Sequence, residues 1–236
     1  MNELEGVTAV IPCGGIGERL LPMTASVPKP LIPVFGRPVL TYVLDALLSQ
    51  GFGDVILSTG HGAEAIASFV AQQYPSGKIR LHHANVAGTC GIFVDPSFRI
   101  ESEDYLVAYA DVLVLPDLVD LVKSHRRTDR GLTLTAQPAT MKSQPCSRIA
   151  DDLASAVSVS RASTGGPFWT YAPFAVLSRS TVERLRRRSW RRLDLVSDVV
   201  EAVDEAEVAV FPLDAPVVDI GEGAFAAGLL HAFQSR

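Results

Sequence analysis

Four charged side chains sit where they could do chemistry: Arg19, Lys29, Asp111 and Asp219. The first two lie in a stretch dense in glycine and proline, residues 13–38, CGGIGERLLPMTASVPKPLIPVFGRP. Successive backbone N–H groups at Gly14, Gly15 and Gly17 can cup an anion, because a chain without Cβ atoms approaches phosphate oxygens closely. Arg19 adds a planar fork of donors suited to phosphate, and Lys29 adds a movable point charge. The prolines stiffen the loop and so reduce the entropy lost when a ligand binds. Two familiar phosphate-binding patterns do not fit. The glycines are not followed by Gly-Lys-Ser/Thr, the third glycine of a dinucleotide fingerprint is missing, and no acidic residue ends the next apolar run near Thr59. Gly14-Gly15-x-Gly17 alone also fits a surface loop; Arg19 and the Pro28-Lys29-Pro30 triplet turn the reading toward an anion site. Asp111 follows the apolar run YLVAYA, and Asp219 sits inside VVDIG. Carboxylates at strand ends either cap a turn or face the edge where a parallel sheet presents its ligands.

The elements that must position these groups alternate. Residues 7–11, VTAVI, read as a buried strand feeding the glycine turn. Pro38 suits the first turn of a helix, in which Val39, Leu40, Val43, Leu44, Leu47 and Leu48 recur at helical spacing up to Gly51. Strands are expected over 54–59, 79–82, 105–110, 132–136, 168–177, 208–211 and 217–220, with Pro173 at an edge or a bulge of the long strand. Helices are expected over 63–73, 118–125, 181–188 and 195–203, with a final helix after 220. Alternating β and α signals predict a mostly parallel central sheet covered by helices. No repeat, linker or low-complexity segment interrupts residues 1–236, which read as a single domain.

Composition narrows the partners. The 236 residues carry a formal net charge of −5, so a nucleic-acid groove is not expected and an anionic ligand needs local positive charge. The start lacks a signal peptide's basic region, and no apolar run approaches transmembrane length, so neither export nor a membrane is expected. Cys13, Cys90 and Cys146 are scattered and odd in number, which suits reduced thiols in a cytoplasm. The basic run RLRRRSWRR at 184–192 reads as a solvated helix end or as a phosphate or partner site, with Trp190 inside it as a candidate contact in a homo-oligomer.

The motif Gly-Gly-x-Gly-x-Arg-Leu, followed by Pro-x-Thr, Pro-Lys-Pro-Leu, Pro-Val and Gly-x-Pro, resembles the signature of the sugar-1-phosphate nucleotidyltransferases, the nucleotide-sugar pyrophosphorylases. The matching residues run from Gly14 to Pro38 and include Arg19, Pro22, Thr24, Lys29, Leu31 and Gly36. The resemblance implies a Rossmann-like α/β three-layer sandwich with a mostly parallel, mixed sheet. It implies condensation of a nucleoside triphosphate with a sugar 1-phosphate, or a related cyclic polyol phosphate, releasing pyrophosphate. It further implies that Arg19 holds the triphosphate, that Lys29 neutralises charge in the transition state, and that Asp111 and Asp219 hold Mg²⁺, with Mn²⁺ as a substitute.

Weaker matches extend the site. Ala87-Gly88-Thr89-Cys90-Gly91 resembles the turn that lies against base and sugar, with Gly88 and Thr89 on the nucleotide, and the position of His83 resembles that from which the base edge is read. Glu18 replaces the family's usual threonine; its backbone N–H would do the binding. The family's Glu-Lys-Pro is missing, and Arg161 is the candidate for that lysine's place on the sugar phosphate, with Arg148 as the rival. Residues 137–171 are expected to set sugar choice. Two other readings remain: a catalytically silent regulatory or sensor relative, and a cytidylyltransferase for a non-sugar phosphate such as phosphocholine. The chain ends soon after VVDIG, so no appended acetylating domain is expected.

Overall fold

A computed structural model describes residues 3–113, 115–139, 147–150, 160–161, 168–214, 217–221, 225–228 and 231. The first strand, β1 (Val7–Pro12), is buried almost throughout and feeds the glycine turn. The stretch after it makes three single 3-10 turns, Glu18–Leu20, Met23–Ala25 and Lys29–Leu31, and then a small hairpin, β2 (Pro33–Val34) with β3 (Arg37–Pro38). Helix α1 (Val39–Ser49) follows with Pro38 at its N-cap, and its apolar stripe Val39, Leu40, Val43, Leu44 and Leu47 is buried. Next come β4 (Val55–Thr59), α2 (Ala63–Gln73), β5 (Ile79–His83), the single turn α3 (Gly91–Val94), β6 (Asp104–Ala108) and α4 (Leu118–Thr128). The chain continues through β7 (Leu132–Ala139), β8 (Ser147–Ala150), β9 (Ser160–Arg161), β10 (Phe168–Ser178) and α5 (Arg179–Arg186). A π-helical turn, Leu195–Val199, runs into the short α6 (Val200–Ala202), and β11 is Val208–Pro212.

The sheet runs β11-β7-β10-β6-β1-β4-β5, with β8 and β9 attached to β10 off this path. Four of the six pairings along the path are parallel; the two antiparallel ones are both made by β10. Strand side chains alternate between two cores. Val7, Ala9 and Ile11 of β1 and Leu106 and Ala108 of β6 pack with α1, α2 and α4, whereas Val10, Tyr105 and Val107 pack with α3, α5 and the π turn. That alternation makes the expected three-layer sandwich. Residues 13–38 have a core of their own: Leu20, Met23, Ile32 and Val34 pack on Val39 and Ile220. The loop is therefore held by apolar burial as well as by its prolines.

Pro173 lies at a register shift between Tyr171 and Ala175, as the expected bulge of the long strand. Several boundaries differ from expectation. The helix expected over 195–203 opens as a π turn. The strand expected over 217–220 is reduced to one antiparallel bridge, Val112 with Asp219. Of the final helix, residues 225–228 and 231 are described, and they are helical.

Candidate functional site

The parallel strands β1, β4 and β6 deliver their C-terminal ends to one edge, where such a sheet collects ligands. A cleft of about 590 Å³ lies there, lined by the glycine turn and Arg19, by Lys29, by the 84–89 loop, by Tyr109 and Asp111, and by Arg192 and Asp194. Of the residues singled out in the sequence, Gly14, Gly15, Gly17, Glu18, Arg19, Lys29, Gly88, Thr89 and Asp111 all face it. The turn after β1 presses on the turn after β4: a Cβ on Gly14 would stand 3.1 Å from the Gly60 nitrogen, and one on Gly60 would stand 3.1 Å from Gly14 Cα. His61 N–H donates to the Gly14 carbonyl at 3.2 Å, closing the contact.

The charges gather at one point. Lys29 Nζ makes an ion pair with Asp111 Oδ2 and lies 3.7 Å from Asp219 Oδ1. Backbone pairing brings the two carboxylates together: Ile220 N–H donates to the Asp111 carbonyl at 3.0 Å, and Leu113 N–H to the Val218 carbonyl at 3.1 Å. Asp219 Oδ1 also accepts from Gly221 N–H at 2.6 Å. Asp111 Oδ1 is buried without a hydrogen-bond partner. A buried carboxylate oxygen left unpaired is costly, so this atom suits a donor or a cation. Among the described residues no cluster of three or more His, Cys, Asp or Glu could hold a metal. Two carboxylates, one with a spare oxygen, suit Mg²⁺, which takes few protein ligands and completes its shell with water and phosphate. Lys29, expected on the phosphates, here bridges the two carboxylates. Burial, and then the Asp111 charge, push the Cys13 thiol up, so it stays protonated beneath the turn.

The opposite wall was not legible in the sequence. Asp194 Oδ1 accepts from Thr89 N–H at 3.1 Å, and its other oxygen pairs with Arg192 Nε. Leu195 N–H donates to Thr89 Oγ1 at 2.9 Å, Leu193 N–H to the Ala87 carbonyl at 2.9 Å, and Cys90 N–H to the Leu193 carbonyl at 2.9 Å. Gly88 has φ +99°, and a Cβ there would stand 2.3 Å from the Leu193 carbonyl oxygen. Its glycine thus answers to this wall as well as to any flat ligand. Tyr109 faces the same region, its ring 6.1 Å from that of Tyr171, and burial pushes both phenols up.

Other candidates fall elsewhere. His83 ends β5, opposite Thr59, and is exposed; its neighbour Ala84 lines the cleft instead. Arg161 is described along its backbone alone, paired with Ser147 in β9, and the rival Arg148 lies on β8 opposite Ser160 and Thr170. Cys146, residues 140–146, 151–159 and 162–167 of the sugar-selecting stretch, and Glu222 lie outside the described residues. The basic run at 184–192 divides. Arg184 pairs with Glu207, Arg186 donates to the carbonyls of Phe93 and Phe98 at 2.7 and 2.6 Å, and Arg192 reaches the cleft. Trp190 packs on the core, its Nε1–H donating to the Leu185 carbonyl at 2.8 Å.

Residues 8–145 match the family model described as nucleotidyl transferase. The D-glycero-α-D-manno-heptose 1-phosphate guanylyltransferase of Aneurinibacillus thermoaerophilus is 31% identical over 131 residues, 55% of this chain and 57% of that protein. The mannose-1-phosphate guanylyltransferase of Mycobacterium tuberculosis is 33% identical over 133 residues, 54% of this chain and 36% of that protein. The match thus spans about half the length of the first relative and about a third of the second. In structure, HddC from Yersinia pseudotuberculosis superposes with a TM-score of 0.75 at 19% identity, covering 96% of this chain and 99% of that one. The same protein has been solved complexed with GMP-PN. This likeness confirms the Rossmann-like sandwich. Among the described residues, no helix is long and apolar enough to cross a membrane.

Proposed function

Because this chain belongs to the nucleotidyl transferase family, within the group acting on sugar 1-phosphates, we propose that it condenses a nucleoside triphosphate with a sugar 1-phosphate to give a nucleotide sugar and pyrophosphate, as one nucleotidyltransferase domain over residues 1–236. One observation carries the reading: Lys29, Asp111 and Asp219 converge beside a glycine turn and Arg19, with Asp111 Oδ1 left unpaired.

A phosphate oxygen of the sugar 1-phosphate attacks the α-phosphorus, and the bond from that phosphorus to the bridging oxygen of the β-phosphate breaks. Such transfers need positioning and cations more than covalent help. The N–H groups of the glycine turn and Arg19 hold the triphosphate chain. Asp111 and Asp219 would hold Mg²⁺, for which Mn²⁺ can substitute, and the bound ion would supply positive charge against the phosphate oxygens. Lys29, held between Asp111 and Asp219, would set its ammonium charge beside the phosphates. Arg161 is the candidate for the sugar phosphate. GTP is the first triphosphate to try, because the matched relatives named above are guanylyltransferases. The regulatory alternative is not favoured, since the cleft keeps Arg19, Lys29 and Asp111, with Asp219 beside Lys29. The buried free thiols Cys13 and Cys90 suit a cytoplasmic setting.

The test is pyrophosphate release from GTP and the other triphosphates against a panel of heptose, mannose, glucose and polyol phosphates. Release that needs both substrates and stops with a chelator is expected. No release with any pair would overturn the proposal.

A further inference from the structure

The wall formed by Arg192–Leu195 closes on a loop 105 residues away in sequence, and it does so mainly through backbone atoms of that loop. Three features set it apart from ordinary loop packing. The loop's two inward N–H groups, Thr89 and Cys90, are both spent on the wall rather than on the loop itself. Gly88 is forced into a left-handed conformation under the Leu193 carbonyl, so the loop's path follows the wall's. The wall is itself braced: Asp194 N–H donates to Asp198 Oδ2 at 2.6 Å, and the N–H groups of Asp198 and Val199 both donate to the Asp194 carbonyl, at 3.0 and 3.1 Å. That doubled acceptance is the opening of the π turn, a distortion that often marks a functional position. It leaves the Asp194 carboxylate aimed at the cleft, where it is only partly buried, rather than spent on its own helix.

We propose that Asp194 is a positioning residue for the nucleotide side of the cleft: one carboxylate oxygen fixes the Thr89 amide, the other tethers Arg192 at the rim, and together they set the 87–90 loop before a triphosphate enters. The inference rests on the reading that this cleft binds a nucleoside triphosphate. A loop set in advance spares the ligand the entropy of ordering it, so the effect falls on binding more than on the chemical step.

The two jobs of Asp194 can be separated. Asp194→Asn keeps an oxygen for the Thr89 amide but loses the charge that tethers Arg192; Asp194→Ala loses both. Thr89→Val removes the acceptor of Leu195 N–H while leaving Asp194 in place, and serves if Asp194→Ala folds poorly. Equilibrium binding of GTP to the full chain, followed by calorimetry, is the first readout, with KM and kcat beside it and a melting curve as control. Asp194→Ala should weaken GTP binding about 3–10-fold and raise KM in step, the scale of one net hydrogen bond, with kcat changed less than KM. Thr89→Val should shift both in the same direction, and Asp194→Asn should recover most of the loss. A wild-type chain that binds neither GTP nor any other triphosphate overturns the functional reading and this inference with it. Wild-type binding with Asp194→Ala and Thr89→Val unchanged, or with Asp194→Asn as impaired as Asp194→Ala, overturns the inference alone.

Discussion

Strand β6 opens on a buried aspartate and is followed by a partly buried one, and the two are treated differently. At its start, Asp104 accepts from Arg126 Nε at 2.7 Å and lies 3.5 Å from His125 Nε2. His125 Nδ1 lies 2.8 Å from the Thr133 hydroxyl, and Arg126 donates onward to the carbonyls of Glu3 and Glu5. Burial would raise the Asp104 carboxyl, but His125 and Arg126 outweigh it and hold it below the ordinary range. Just past the other end, Asp111 shares one ammonium with a second carboxylate and leaves an oxygen bare. A carboxylate closed by its own chain serves architecture. One left short of partners that a ligand can supply is what the proposed chemistry requires.

Breaking each end should therefore read out differently. The largest effects belong to the open end. Asp111→Asn and Asp219→Asn should each lower turnover by about 10²–10³, the scale of a lost electrostatic stabiliser, with little loss in melting temperature. The double variant should lose much less than the product, since both act at one point; fully multiplicative losses would refute a shared site. Lys29→Ala should fall in the same range, and near-wild-type turnover there would remove it from catalysis.

At the closed end, Asp104→Asn should leave kcat and KM unchanged and cost about 1.5–3 kcal/mol in denaturant unfolding, because it removes the charged acceptor shared by Arg126 and the buried His125. Asp95 extends the same contrast to pH. It is fully buried; burial alone would raise its carboxyl, yet donors from Ser97 and Asn85 hold it down to about 2. Its folded pKa is depressed, so its stabilisation is full above the ordinary value of 3.8 and is lost as pH falls toward about 2, a contribution of about 2 kcal/mol. Acid unfolding of Asp95→Asn should flatten in that window. The smallest effect is expected at Asp45, which accepts from Arg37 and Tyr74 at the surface. Asp45→Asn should cost under about 1 kcal/mol, since partners without burial are worth little.

How far these differences could be read beforehand depends on whether a signal is local. The stripe of α1 and the buried runs of β1, β4 and β6 announce themselves by period, and Gly14, Arg19, Lys29 and Asp111 by a dense motif. The hairpin β2–β3, the single turn α3 and the two-residue β9 are too short to carry a period. Residues 217–220 look like a strand by composition, yet their pairing with β6's extension amounts to one bridge. The private core under residues 13–38 had a signal in Leu20, Met23, Ile32 and Val34, masked by the prolines between them. The wall at 192–195 had none, because it meets the loop largely through backbone atoms, which any sequence possesses. His83 shows the converse: it lies beside a cleft-lining residue, but its side chain is turned to solvent.

The mutual contact of Gly14 and Gly60 limits how this cleft can be redesigned. At each position the obstacle to a side chain is the other's main chain, at 3.1 Å, rather than a side chain that a second change could trim. A Cβ at either site asks the facing main chain to give by a few tenths of an ångström, which trimming a side chain does not supply. A library that randomises the cleft for a new donor or acceptor should favour glycine at both sites, while Ile16, more than half exposed nearby, accepts variety. New specificity would then have to be written into the side chains around the two turns, with the turns themselves inherited unchanged.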